Sequence, residues 1–120
     1  MPSALTVRER RALRAAITEE LVVLDAQVVA LTRAFDDIVD AAVQSNVDDE
    51  HDPEGTTIAF ERAQVAALLR QARLDQAVLR ETLERVDGSG FGTCTECGAF
   101  IGVERLLALP GAARCMRCAT

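Results

Sequence analysis

The sequence predicts an all-α protein, a long antiparallel α-hairpin coiled coil followed by a small C-terminal four-cysteine zinc-finger module. Three observations predict it. Apolar residues recur at alternating steps of three and four along two long stretches. An acid-rich break containing Pro53 and Gly55 separates those stretches near mid-chain. All four cysteines fall in the last third, as Cys94-x-x-Cys97 and Cys115-x-x-Cys118. With no Trp or Tyr, four Phe, and a surplus of helix-forming residues, the 120-residue chain favours long helices over a sheet-based core.

In the first arm, Thr6-Val7-Arg8-Glu9 fits a capping box, with Thr6 at the N-cap and Glu9 reaching back to its backbone N–H. Ile17, Leu21, Leu24, Val28, Leu31, Phe35, Ile38 and Ala42 then advance in steps of 4, 3, 4, 3, 4, 3 and 4. No Gly or Pro interrupts the helix expected from residue 6 to about 46. So narrow a stripe is a coiled-coil seam and requires a partner helix. Arg8, Arg10, Arg11 and Arg14 make the first turns basic, which reads as a solvated face, with docking to an acidic partner as the sharper alternative.

The run from Ser45 to Gly55 breaks the seam. Pro53 cannot lie inside a helix, but it can open one behind Asp52 as N-cap. Residues 36 to 54 carry eight carboxylates (Asp36, Asp37, Asp40, Asp48, Asp49, Glu50, Asp52 and Glu54) and no Arg. The other residues hold eleven acids against thirteen Arg, so the excess behind the formal charge of −6 sits at this turn. Asp52 and Glu54 complement the positive end of the next helix dipole. The remaining acids repel one another with no local compensation. An acidic tip at 46–57, offered to a basic channel or a metal-bearing site, is the functional reading; a soluble loop is the bland one. His51, the single histidine, reads as an exposed loop side chain.

Ile58, Val65, Leu69, Ala72, Leu79, Leu83 and Val86 restore the heptad register in the second arm, expected from 53 to about 87. Arg62 and Gln76 are its polar members, of the kind that fix register at some loss of stability. Two arms of similar length joined by a tight turn fold back on each other within one chain. Asp87-Gly88-Ser89-Gly90 then ends the helix. The expected division is a hairpin over 1–87 and a zinc module over 88–120.

Seventeen residues lie between Cys97 and Cys115, a separation of two Cys-x-x-Cys hooks that marks a zinc site. Four thiolates complete a tetrahedral shell and leave no place for water, so one structural Zn2+ on Cys94, Cys97, Cys115 and Cys118 is expected. Gly98 suits the close of the first hook. Disulfides would fit a secreted chain, but Met1-Pro2-Ser3 opens no signal peptide. A thioredoxin-like pair would need an alternating βα pattern, which is absent. Ile101, Leu106, Leu107 and Leu109 are too few to fold this segment without the metal.

The charge balance argues against nucleic-acid phosphates as the main partner. No apolar run approaches the ~18 residues of a membrane span. One loop His, three scattered Ser and a saturated metal supply no nucleophile–base pair, so no enzyme activity is expected. The expectation is a cytoplasmic monomer without sequence-specific DNA binding and without a membrane partner.

The run Phe91-Gly92-x-Cys94-x-x-Cys97-Gly98-x-x-Ile101-x-x-x-Arg105-Leu106-x-Ala108-x-Pro110-x-Ala112-x-x-Cys115-x-x-Cys118 resembles the zinc finger of the DksA/TraR family. The hairpin, with Asp52-Pro53 in its acidic turn, resembles that family's coiled coil, so the resemblance covers essentially the whole chain. It implies a transcription regulator that binds the RNA polymerase core directly. Members insert the coiled-coil tip into the polymerase secondary channel, near the catalytic Mg2+, and alter promoter-complex stability. The tip acids so implied are Asp49, Glu50, Asp52 and Glu54, with Arg105 as a docking residue of the finger.

Departures from the family pattern are specific. Well-known members carry Asp-x-x-Asp followed closely by Ala at the tip; Asp52-Pro53-Glu54-Gly55 lacks the second Asp, and Thr57 stands in place of Ala. The basic residue before the finger's proline and the Lys after its last Cys help those members bind ppGpp. Here they are Leu109 and Ala119, which argues against a ppGpp response. A reading from another class is a zinc-capped coiled-coil adaptor whose partner is not polymerase.

Overall fold

A computed structural model describes residues 5–45 and 53–119, the side chains of Ser45, Pro53 and Glu54 excepted. The fold is all-α: two long helices, α1 (Val7–Ser45) and α2 (Pro53–Arg85), form an antiparallel hairpin, followed by two short ones, α3 (Val103–Ala108) and α4 (Met116–Ala119). The start of α1 is set by its capping box. Glu9 donates its N–H to Thr6 Oγ1 at 3.0 Å, and Thr6 donates its own to Glu9 Oε1 at 2.8 Å. Free donors of the first turn are thereby satisfied. α2 opens on Pro53, where a missing N–H is harmless. Asp52, the expected N-cap, lies outside the described residues.

The chain forms two compact units, Met1–Val22 with Ala77–Thr120, and Val23–Gln76. In the second unit the seam is thin. Leu24 and Ala72 are buried, while Val28, Leu31, Phe35, Ile38, Ala42, Ile58, Val65 and Leu69 are half-buried. Two helices cover each other along one line only, and a full core needs a further layer. Gln76 takes its polar seam position, 8% exposed, and donates from Nε2 to Asp25 Oδ1 at 2.6 Å. Arg62, the other polar member expected in the seam, is exposed instead. Among the described residues no acceptor meets it in so thin a seam, and burying its cation would forfeit hydration without return.

The first unit holds the denser core. Leu13 and Ile17 are fully buried, and Leu5, Leu13 and Val86 share one cluster with Ile101, Leu106, Cys94 and Cys115. Phe91, Phe100 and Val103 pack against it. The hydrophobic residues of the four-cysteine segment thus gain cover from α1 and from the residue that follows α2. Leu107 and Leu109, expected inside, are exposed. On the six-residue α3 the fully buried Leu106 takes the inner face, and Leu107, one residue on, is turned about 100° away from it.

Two of the four arginines that open α1 are structural, which corrects their reading as a solvated face. Arg10 donates from Nη1 to the carbonyls of Val86 and Gly88, capping the C-terminal end of α2, where unpaired carbonyls and the dipole favour a cation. Arg14 pairs with Asp87. Arg8 and Arg11 are exposed.

Close packing also fixes Gly111. A Cβ built there would lie 2.5 Å from Val78 Cγ1 on α2. Gly111→Ala is therefore expected to destabilise the protein by roughly 1–3 kcal/mol through overpacking. The second substitution Val78→Ala should restore part of that loss, read as non-additive midpoints in thermal unfolding followed by circular dichroism.

Candidate metal centre

Each cysteine pair is aimed by its own local structure. The first hook is a tight turn: Cys94 donates its N–H to the Ala99 carbonyl at 2.8 Å, and Gly98 donates to the Cys94 carbonyl at 3.0 Å. Gly98 closes that turn at φ +75, a conformation that L side chains adopt only with strain. An isolated antiparallel bridge between Thr93 and Phe100 closes the same loop. The second hook is helical. Cys115 precedes α4, whose Ala119 donates to the Cys115 carbonyl at 2.9 Å, so Cys118 returns toward Cys115 within one turn.

The hooks are bonded to each other. Thr95 donates to the Ala113 carbonyl at 2.9 Å, and Cys115 donates its N–H to Cys94 Sγ at 3.3 Å. Arg105 braces the second hook from α3, donating from Nε to the Arg114 carbonyl at 3.0 Å and lying 3.5 Å from Met116 Sδ. All four Sγ atoms lie within 4.8 Å of one another, with Cys97 and Cys115 3.7 Å apart. A zinc–thiolate tetrahedron, with Zn–S bonds of about 2.3 Å, has its sulfurs about 3.8 Å apart. The donor set and its spacing fit zinc, with Cys94 and Cys115 buried, Cys118 half-buried and Cys97 exposed.

Charge is shared unevenly among these sulfurs. The Cys94 thiol is lowered to about 6, first by the backbone N–H of Cys97 and then by that of Cys115. Cys115 is lowered as well, chiefly by the backbone of Cys118. Cys118 is pushed up to about 12, first by its hydrogen bond with the Cys115 side chain and then by those with Cys94 and Cys97. The fold thus pre-ionises one side of the cluster and leaves the proton on the other. A divalent cation removes the conflict by replacing that proton.

The acids expected at a tip are distant in sequence from the four cysteines. Asp49, Glu50 and Asp52 lie outside the described residues; Glu54 belongs to the first turn of α2. Sequence reasoning missed the roles of Arg10 and Arg14, whose acceptors lie more than seventy residues away in the chain. No local pattern announces such pairs.

A helical hairpin that ends in a four-cysteine, zinc-finger-type centre defines the class of protein. Residues 89–120 match the prokaryotic dksA/traR C4-type zinc finger. The four-cysteine segment is thus a finger of the dksA/traR type. The chain is 43% identical over 42 residues to the RNA polymerase-binding transcription factor DksA of Escherichia coli K12, and equally so to that of Salmonella typhimurium. Those matches cover 35% of this chain and 28% of each relative. The fold is similar to that of the transcription factor DksA2 from Pseudomonas aeruginosa, with a TM-score of 0.77 at 20% identity over 94% of this chain and 81% of that one.

Proton counting tests the electrostatics of the cluster. At pH 7.5, zinc binding is expected to release most of four protons, because the thiols of the metal-free chain, at about 8.5, are still largely protonated and must all ionise to ligate. A markedly smaller number would mean that the folded cluster, with its Cys94 thiol lowered, persists without the metal. Calorimetric titration in buffers of different ionisation enthalpy gives this number directly.

Proposed function

We propose that this chain is a transcription regulator that binds the RNA polymerase core and places its acidic turn in the secondary channel, altering promoter-complex stability. The observation that carries the reading is the pairing of a DksA/TraR finger with a hairpin whose turn region, residues 36 to 54, holds eight carboxylates and no Arg. Supporting it, relatives matched over the finger are named RNA polymerase-binding transcription factors.

In this reading Asp49, Glu50, Asp52 and Glu54 act electrostatically near a catalytic cation, and the chain makes and breaks no bond. The regulator shifts polymerase between states that bind it unequally. One Zn2+ on Cys94, Cys97, Cys115 and Cys118 supplies folding free energy to the finger, on the order of 10 kcal/mol in comparable small sites. Arg105 serves the partner surface only after serving the second hook, since its Nε is bonded to the Arg114 carbonyl. The protein acts as a cytoplasmic monomer without reading DNA sequence. Among the described residues, no helix is long and apolar enough to cross a membrane.

A photoreactive residue at position 52, with purified bacterial core polymerase, tests partner and orientation together. The expected result is a crosslink to elements lining the active centre. The combined substitution Asp52→Asn with Glu54→Gln should keep the fold and the zinc while abolishing the effect on promoter-complex lifetime. Folded, zinc-loaded protein that neither crosslinks nor binds polymerase would point to an adaptor with another partner.

A further inference from the structure

Three of the four Phe residues have structural work. Phe35 is half-buried in the hairpin seam, and Phe91 and Phe100 pack against the core beside the cysteines. Phe60 is 70% exposed. It sits two residues beyond the seam residue Ile58, about 200° around the helix, and so faces away from α1. Its neighbours on that face, Thr56, Ala63, Gln64 and Ala67, are all exposed and all uncharged. The two alanines leave the Phe ring standing clear of the surface.

Phe60 lies seven residues after Pro53, a rise of about 10 Å along α2. It therefore shares one end of the hairpin with Asp36, Asp37 and Asp40 near the end of α1 and with Glu54 in the first turn of α2. A partner able to receive that much negative charge must present Arg or Lys side chains. Those are also the groups that pack well on an aromatic face, with the cation over the ring and the aliphatic stem along its edge.

From this juxtaposition we infer that Phe60 is a binding anchor, inserted with the acidic turn and seated under a basic side chain lining the polymerase channel. The inference rests on the polymerase reading above and adds to it the residue that holds the arm in place. Carboxylates near the turn set the charge match and speed encounter; one desolvated aromatic slows departure. Such division of labour is the usual one in interfaces that combine steering with a small apolar hot spot.

The test uses full-length, zinc-loaded protein and core RNA polymerase, with dissociation constants measured across a salt series. Phe60→Ala should weaken binding at least tenfold, and Phe60→Leu, which keeps the apolar bulk and loses the ring, by an intermediate factor. Neither should lower the thermal midpoint, because Phe60 is exposed. The salt slope should stay unchanged in both, whereas neutralising Asp52 and Glu54 should flatten it. Wild-type-like affinity of Phe60→Ala, alongside normal wild-type binding, would overturn the anchor and leave the polymerase reading standing. Failure of the wild-type protein to bind polymerase would overturn both.

Discussion

Four cysteine sulfurs within 4.8 Å of one another cannot all be anions without a cation between them, and they are held that close by backbone built around them. Gly98 allows the first hook to close, α4 turns the second, and two hydrogen bonds join them. Cys94 and Cys115 belong to the same buried cluster as Leu5, Leu13 and Val86, from the two ends of the hairpin chain. Stabilising the sulfurs therefore stabilises the hydrophobic contacts of the whole unit. Gly92 illustrates how tight the assembly is: a Cβ there would lie 3.0 Å from Phe100 Cε1 and 3.3 Å from Leu106 Cδ1.

The second unit is stabilised differently. With Leu24 and Ala72 as its buried apolar residues, it depends on a long, half-buried seam and on the bond between Gln76 and Asp25. A buried amide in such a seam penalises any shifted register, because a slip would leave it without a partner. The arrangement trades stability for a defined alignment of the two helices. A proposed regulator that must present carboxylates at a set place benefits from that alignment more than from a thicker core.

Much of this was legible in the sequence because the controlling physics is periodic or local. Heptad steps named the seam from Ile17 to Ala42, Thr6 and Glu9 named the start of α1, and the two hooks named the cluster. What stayed hidden depends on contacts between distant segments. Arg10 and Arg14 looked like solvent-facing charge until Val86, Asp87 and Gly88 arrived beside them. Leu13 lies one step of four before the seam residue Ile17, yet its complete burial comes from the finger as well as from the hairpin. Leu107 and Leu109 looked like core because hydrophobicity alone does not say which face of a short helix turns inward. Arg62 obeyed the heptad in sequence and left it in space.

The central claim is that the metal centre makes the finger and both hairpin ends one cooperative unit. Hydrogen exchange read by mass spectrometry, with and without a zinc chelator, tests it most directly. Chelation is expected to remove amide protection together from residues 7–22 and 77–119, the described helices and finger of the first unit. Loss confined to residues 89–119, with the ends of α1 and α2 as protected as before, would contradict it.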